Sequence, residues 1–95
     1  MSQRRLVFRV HAIQRMFQRR ISEEEVTQVV VAGESIETYP DDKPFPSRLM
    51  LGWTGSRPVH VVVPENVEAQ EAIIITVYQP DAEEWEAGFK RRKRR

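Results

Sequence analysis

Apolar residues recur along this chain at two spacings, and the spacing changes near residue 34. Val10, Ile13, Met16 and Phe17 return at intervals of three and four, which gathers them on one side of a helix at roughly 100° per residue. That side is expected to be buried, with His11, Arg15 and Arg19 forming a stripe that faces away from the helix's core contact. Arg20 would fall on the apolar side, so the helix is predicted to end near Arg19. Ser22-Glu23-Glu24-Glu25 reads as a capping box: Ser22 accepts from the Glu25 amide, the Glu25 carboxylate reaches back, and three acids sit at the positive helix end. The second helix keeps its period through Val26, Val29 and Val30, and Gly33 is expected to stop it as a left-handed residue. Ahead of both helices, residues 6–10 are a β-branched and aromatic run, read as a first strand or extended lead-in.

From Glu34 the period becomes two. Ile36 and Tyr39 close a strand before the turn-rich stretch Pro40-Asp41-Asp42-Lys43-Pro44-Phe45-Pro46-Ser47. Residues 48–54, 57–64 and 72–78 read as three further strands, the first two joined by a Gly55-Ser56 hairpin. Pro80 and Asp81 are expected to open a short helix anchored by Trp85 and Phe89. The predicted order is β-α-α-β-β-β-β followed by that helix. The fold class is α+β, with two N-terminal helices packed on a small, mainly antiparallel sheet, a short C-terminal helix and a basic tail.

With 95 residues, the chain has room for one core. It is read as a single domain, residues 1–89, followed by a basic tail, residues 90–95. There is no cysteine, so disulfides and thiolate metal sites are excluded. No stretch approaches the eighteen apolar residues of a membrane span and residues 1–9 lack a signal-type hydrophobic segment, so the expected compartment is the cytoplasm. Charge adds more, because it is sorted along the chain. Residues 1–20 hold six Arg and no acid, residues 21–89 hold three basic residues against fourteen acids, and residues 90–95 are all Lys or Arg. Arg predominates among the cations, and its planar fork suits phosphate, so a polyanion is the expected partner and RNA the best candidate.

Several pieces in order carry a family resemblance: His11-Ala12 with Arg15, Arg19, Ile21 and Ser22, then Val26, Gly33, Gly52, and the late run Ile75-Thr76-Val77-Tyr78-Gln79-Pro80. From about residue 6 to residue 80 the chain resembles domain-of-unknown-function family 4258, small bacterial proteins regarded as relatives of the RelE and MqsR ribonuclease toxins. The resemblance implies a RelE/barnase-like arrangement and a toxin-like, metal-independent endoribonuclease acting on mRNA, free or on the ribosome. It also implies a cognate antitoxin protein as partner, and no cofactor. The chain departs from the family pattern at Arg20, where Gly usually stands between the second Arg and the Ile, so a left-handed turn there carries a cost or the turn differs.

A metal-free ribonuclease of that kind needs a base, an acid and cations around the developing phosphate charge. His11 and His60 are the two histidines, and imidazole is the side chain that titrates nearest neutral pH. His11, His60 and Tyr78 are therefore the catalytic candidates, with Arg15, Arg19, Arg48 and Thr76 as RNA-binding candidates. His11 and Arg15 lie one helical turn apart and share a face. Alternation sends Val59, Val61 and Val63 to one face of their strand and His60 to the other, while Thr76 and Tyr78 share a face that hairpin pairing can bring beside His60. Plain structural roles stay open for each: His11 as a helix cap, Arg15 in an ion pair, His60 as a satisfied half-buried ring. Asp41 and Asp42 are read as turn residues rather than metal ligands, and Trp53 and Trp85 as packing. The competing function is a non-catalytic module that binds RNA, the ribosome or a protein.

Overall fold

A computed structural model describes residues 4–94. Strand β1 (Arg5–Phe8) leads into helix α1 (Val10–Arg19) and helix α2 (Glu23–Ala32), followed by β2 (Glu34–Tyr39), β3 (Ser47–Thr54), β4 (Arg57–Asn66), β5 (Glu71–Ile74) and β6 (Thr76–Tyr78). The class is α+β. The six strands form one mixed sheet in the order β1-β5-β4-β3-β2, with β6 pairing β4 as well. The first strand is parallel to β5 and all other pairings are antiparallel, so the sheet is mainly antiparallel, as expected.

Sequence explains both helix boundaries. Ser22 Oγ accepts from the Glu25 amide at 3.1 Å and the Ser22 amide donates to the Glu25 carboxylate, completing the capping box. At the end of α1, Arg20 adopts the left-handed conformation at φ 56°, and its amide closes the last turn on the Phe17 carbonyl. The turn is thus the one a glycine would make, carried by a residue with a Cβ. Arg57 braces it from β4, donating to the Arg20 carbonyl at 3.1 Å while pairing with Glu25.

Gly33 differs from expectation. It is extended, not left-handed, and it is glycine for space: a Cβ would stand 2.6 Å from the Leu51 carbonyl oxygen and closer still to that of Val29. Gly52, on β3, meets the same constraint from the other side, since a Cβ there would lie 2.6 Å from Val29 Cγ2. Two missing side chains let α2 lie directly on β3.

The core joins Ala12, Met16, Val26 and Val29 of the helices to Met50, Val59, Val61, Val63, Ala72, Ile74 and Val77 of the sheet. Full burial of each such valine contributes roughly 1.5–3 kcal/mol, which makes β4 the largest single contributor. In α1 the contact is not the one periodicity predicts. Ala12 and Met16 face the core, whereas Val10, Ile13 and Phe17 are exposed. The small Ala12 lets the helix approach the sheet closely, and the longer apolar residues are left pointing outward.

The predicted strand 72–78 is two strands. Two residues of β4, Val63 and Pro64, face three on the partner, Ile73, Ile74 and Ile75, between the Glu65–Ala72 and Val62–Thr76 pairs. This one-residue bulge falls where Pro64 has no N–H to donate. It also resets alternation, so that Ile74 and Val77 both reach the core.

The expected C-terminal helix is absent among the described residues. Asp81 starts a single turn, accepting from the Glu84 and Trp85 amides at 2.9 and 3.0 Å. Positive φ at Gly88 and Phe89 then folds the chain back, and Trp85 bridges Arg92. No helix is long and apolar enough to cross a membrane among the described residues.

Two substitutions test these backbone constraints by thermal or urea unfolding. Arg20→Gly is expected to stabilise by about 1 kcal/mol, raising the melting temperature by about 4–8 °C for a domain of this size. Gly33→Ala is expected to destabilise by about 1–3 kcal/mol despite its ordinary φ; an unchanged midpoint would mean that α2 and β3 have room to separate.

Candidate functional site

Helix α1 runs beside β6, which is an edge strand because it pairs only with β4. An edge strand leaves backbone groups without ladder partners, and Arg19 meets one of them, donating from Nη1 to the Val77 carbonyl at 2.6 Å. That bond orients the stripe predicted to face away from the helix's core contact. His11, Arg15 and Arg19 line a cleft of about 370 Å³ together with Ile75, Thr76 and Tyr78. The stripe spans about 12 Å along the helix at 1.5 Å per residue. His11, Arg15 and Arg19 are all exposed.

No carboxylate lines this cleft, and no recorded ion pair among the described residues involves Arg15 or Arg19. The cleft therefore presents positive charge and one imidazole to an incoming anion. Arg19 keeps most of its five N–H donors after serving Val77. Two further clefts adjoin through shared residues. One of about 390 Å³ is lined by His11, Gln14, Arg15 and Gln18, and one of about 600 Å³ takes in Arg19, Tyr78, Asp81, Glu84, Trp85 and Arg92. A separate cleft of about 310 Å³ between α2 and β3 includes Val29, Glu34, Gly52 and Trp53, with none of the predicted site residues.

His60 sits behind Tyr78 rather than in the cleft. The two residues are directly paired across β4 and β6. His60 is fully buried on the sheet face away from the helices, with its ring 4.5 Å from Trp85 and 5.2 Å from Tyr78, both edge to face. Its Nε2 lies 2.9 Å from the Phe89 carbonyl, and a carbonyl oxygen can only accept, so Nε2 carries the hydrogen. Burial pushes the His60 pKa down, against the pull of that carbonyl and with help from Arg92, so the ring is neutral. Nδ1 is then a lone pair that accepts from the Tyr78 hydroxyl at 3.1 Å. Burial raises the Tyr78 pKa, which keeps it a phenol. His60 thereby orients Tyr78, the group that reaches the cleft.

Arg48 is not brought to this site. It pairs with Glu65 at 2.6 Å, Arg4 pairs with the same carboxylate, and burial together with Arg4 lowers its pKa. Its Nε is buried without a partner among the described residues. Thr76 lines the cleft. Trp85 is buried, while Trp53 is half exposed and packs edge-on against Phe89 at 5.9 Å. Sequence reasoning missed the Phe89 carbonyl and Arg92, which lies 4.7 Å over the Trp85 ring. A backbone carbonyl has no sequence signature, and Arg92 is one cation among six.

The fold and site define a small α+β protein with a cationic cleft between its first helix and a sheet edge. Residues 8–79 match the family described as Domain of unknown function (DUF4258), and the chain belongs to that family. No curated protein and no solved structure matches the chain.

Stability should report the His60 environment. The folded chain excludes a proton that the unfolded chain binds near the usual pKa of 6.5, so the neutral ring's contribution is complete above that pH and is lost as pH falls through it. Unfolding free energy is expected to decline from pH 6.5 to about 5, above the carboxylate range, and less steeply in His60→Gln. Urea titrations at stepped pH measure this; equal slopes in both proteins would locate the titration elsewhere.

Proposed function

We propose that this protein is a toxin-like endoribonuclease related to RelE and MqsR, cleaving mRNA in the cytoplasm by metal-independent attack of the 2′-hydroxyl, with an antitoxin as its protein inhibitor. The observation that supports this reading best is the meeting of His11, Arg15, Arg19, Thr76 and Tyr78 in one open cleft without a carboxylate. His11 takes the 2′-hydroxyl proton as the 2′-oxygen bonds to phosphorus. Arg15 and Arg19 hold the non-bridging oxygens as charge develops on them. The bond to the 5′-oxygen breaks as the Tyr78 hydroxyl turns from His60 Nδ1 and gives that oxygen its proton, leaving a 2′,3′-cyclic phosphate and a 5′-hydroxyl. Water then returns His11 and Tyr78 to their starting protonation states. His60 acts through Tyr78 and touches no substrate.

The second reading is a binding module without catalysis. The buried position of His60 favours it, because only one of the two imidazoles then faces the cleft. Both readings place RNA on the same arginines and part at the chemistry.

Purified protein is expected to cut RNA in excess EDTA and to yield cyclic-phosphate ends. His11→Ala should slow cleavage by about 10²- to 10⁴-fold, the usual contribution of an acid–base group, with folding intact because His11 is exposed. Wild-type cutting by that variant rejects the assignment. Salt-sensitive RNA binding that Arg15→Ala weakens, with no cutting by the wild type, decides for the binding module.

A further inference from the structure

The apolar side of α1 that periodicity assigns to the core is on the surface: Val10, Ile13 and Phe17 are 68 %, 48 % and 87 % exposed. Their i, i+3, i+7 spacing makes one continuous ridge, about 10 Å long at 1.5 Å per residue. A ridge of this kind on a small domain marks a contact surface. It lies on the far side of the helix from Arg15 and Arg19, with Gln14 and Gln18 between. The ridge and the cleft therefore share no residue.

Charge around the ridge selects its occupant. Arg9 and Arg20 stand at its two ends as the N-cap and C-cap of α1, both exposed, and neither joins a recorded ion pair among the described residues. Residues 1–20 contain no acid. A symmetric pairing of α1 with α1 of a second copy would set arginine against arginine. A lipid surface calls for a large apolar face sunk into the interface, and three side chains on a ten-residue helix fixed in the domain offer little of one. An apolar ridge between two cations matches a helix with its own apolar stripe and an acidic border.

We propose that Val10, Ile13 and Phe17 form a docking surface for an amphipathic helix with acidic flanks, carried by another protein. The docking surface does not depend on the nuclease chemistry.

The probe is a synthetic helical peptide with leucines at i, i+3, i+4 and i+7 and glutamates on both borders, titrated into the isotope-labelled full chain and followed by NMR. Saturable shifts centred on α1 are expected, weakening as salt rises. The same peptide with lysine for every glutamate should bind at least about tenfold more weakly. Ile13→Ser and Phe17→Ser should each weaken binding of the acidic peptide about tenfold or more while leaving the melting temperature and RNA binding unchanged. Arg9→Glu with Arg20→Glu, which leaves the ridge intact, should reverse the preference between the two peptides. No binding of the acidic peptide, equal binding of the lysine peptide, or a response to phosphatidylserine vesicles alone overturns the proposal. So does dimerisation of the protein that Phe17→Ser abolishes, which would assign the ridge to a second copy. Failure to cut RNA with peptide binding intact would remove the nuclease reading alone.

Discussion

Strand β4 is the constraint from which the rest of the structure follows. One of its edges is occupied along nearly the whole strand by β3. The other must serve two partners, β5 at Glu65 and Asn66 and β6 at His60 to Val62. The two registers differ by one residue, and the bulge that absorbs the difference sets Val77 into the core and Tyr78 directly across from His60. It also leaves β6 short and on an edge, so its outer carbonyl at Val77 needs a donor from outside the sheet. Arg19 is that donor, and its bond to Val77 brings the cationic stripe of α1 against Thr76 and Tyr78. The cleft is thus a by-product of how one strand shares its edge.

Electrostatics sharpens the same asymmetry. Around the sheet, acids and bases meet in pairs: Arg4 and Arg48 with Glu65, Arg5 with Glu71, Arg57 with Glu25, Lys90 with Glu34. Most of these are at least partly exposed, and each contributes at most about 1 kcal/mol. Their larger effect is on the surface field, because they take up cations elsewhere while Arg9, Arg15, Arg19 and Arg20 enter no recorded pair among the described residues. The sorting of charge along the chain becomes a sorting of charge in space.

Local chemistry made much of this legible in the sequence. Both helices begin and end where the capping box, the apolar period and Gly33 indicate, and the 55–56 hairpin and the strand alternation place His60 away from the main core beside Tyr78. What failed did so for identifiable reasons. Periodicity reports that α1 has an apolar side; it does not report that the side which docks is chosen by how closely a helix can approach, which favours Ala12. The spacing of Trp85 and Phe89 suits a helix, yet Gly88 and Phe89 take positive φ and turn the chain back over the sheet. Arg48 matches a phosphate ligand by type alone, and its commitment to Glu65 depends on a pairing of residues seventeen positions apart. The family likeness read from residues 6–80 coincides closely with the matched region 8–79.

That boundary bears on His60. The matched region ends at Gln79, so the segment that covers the outer face of the sheet lies beyond it. From that segment come the Phe89 carbonyl that fixes the hydrogen on Nε2 and the Trp85 ring against the imidazole. Without a carbonyl at Nε2 the neutral ring could carry its hydrogen on either nitrogen, and Nδ1 could as readily donate to Tyr78 as accept from it. The direction of the His60–Tyr78 hydrogen bond is therefore set from outside the matched region. The cleft itself is not, since all six residues that line it fall within residues 8–79. The cationic cleft is built within the matched region, whereas the protonation pattern behind it is set by the C-terminal segment that follows.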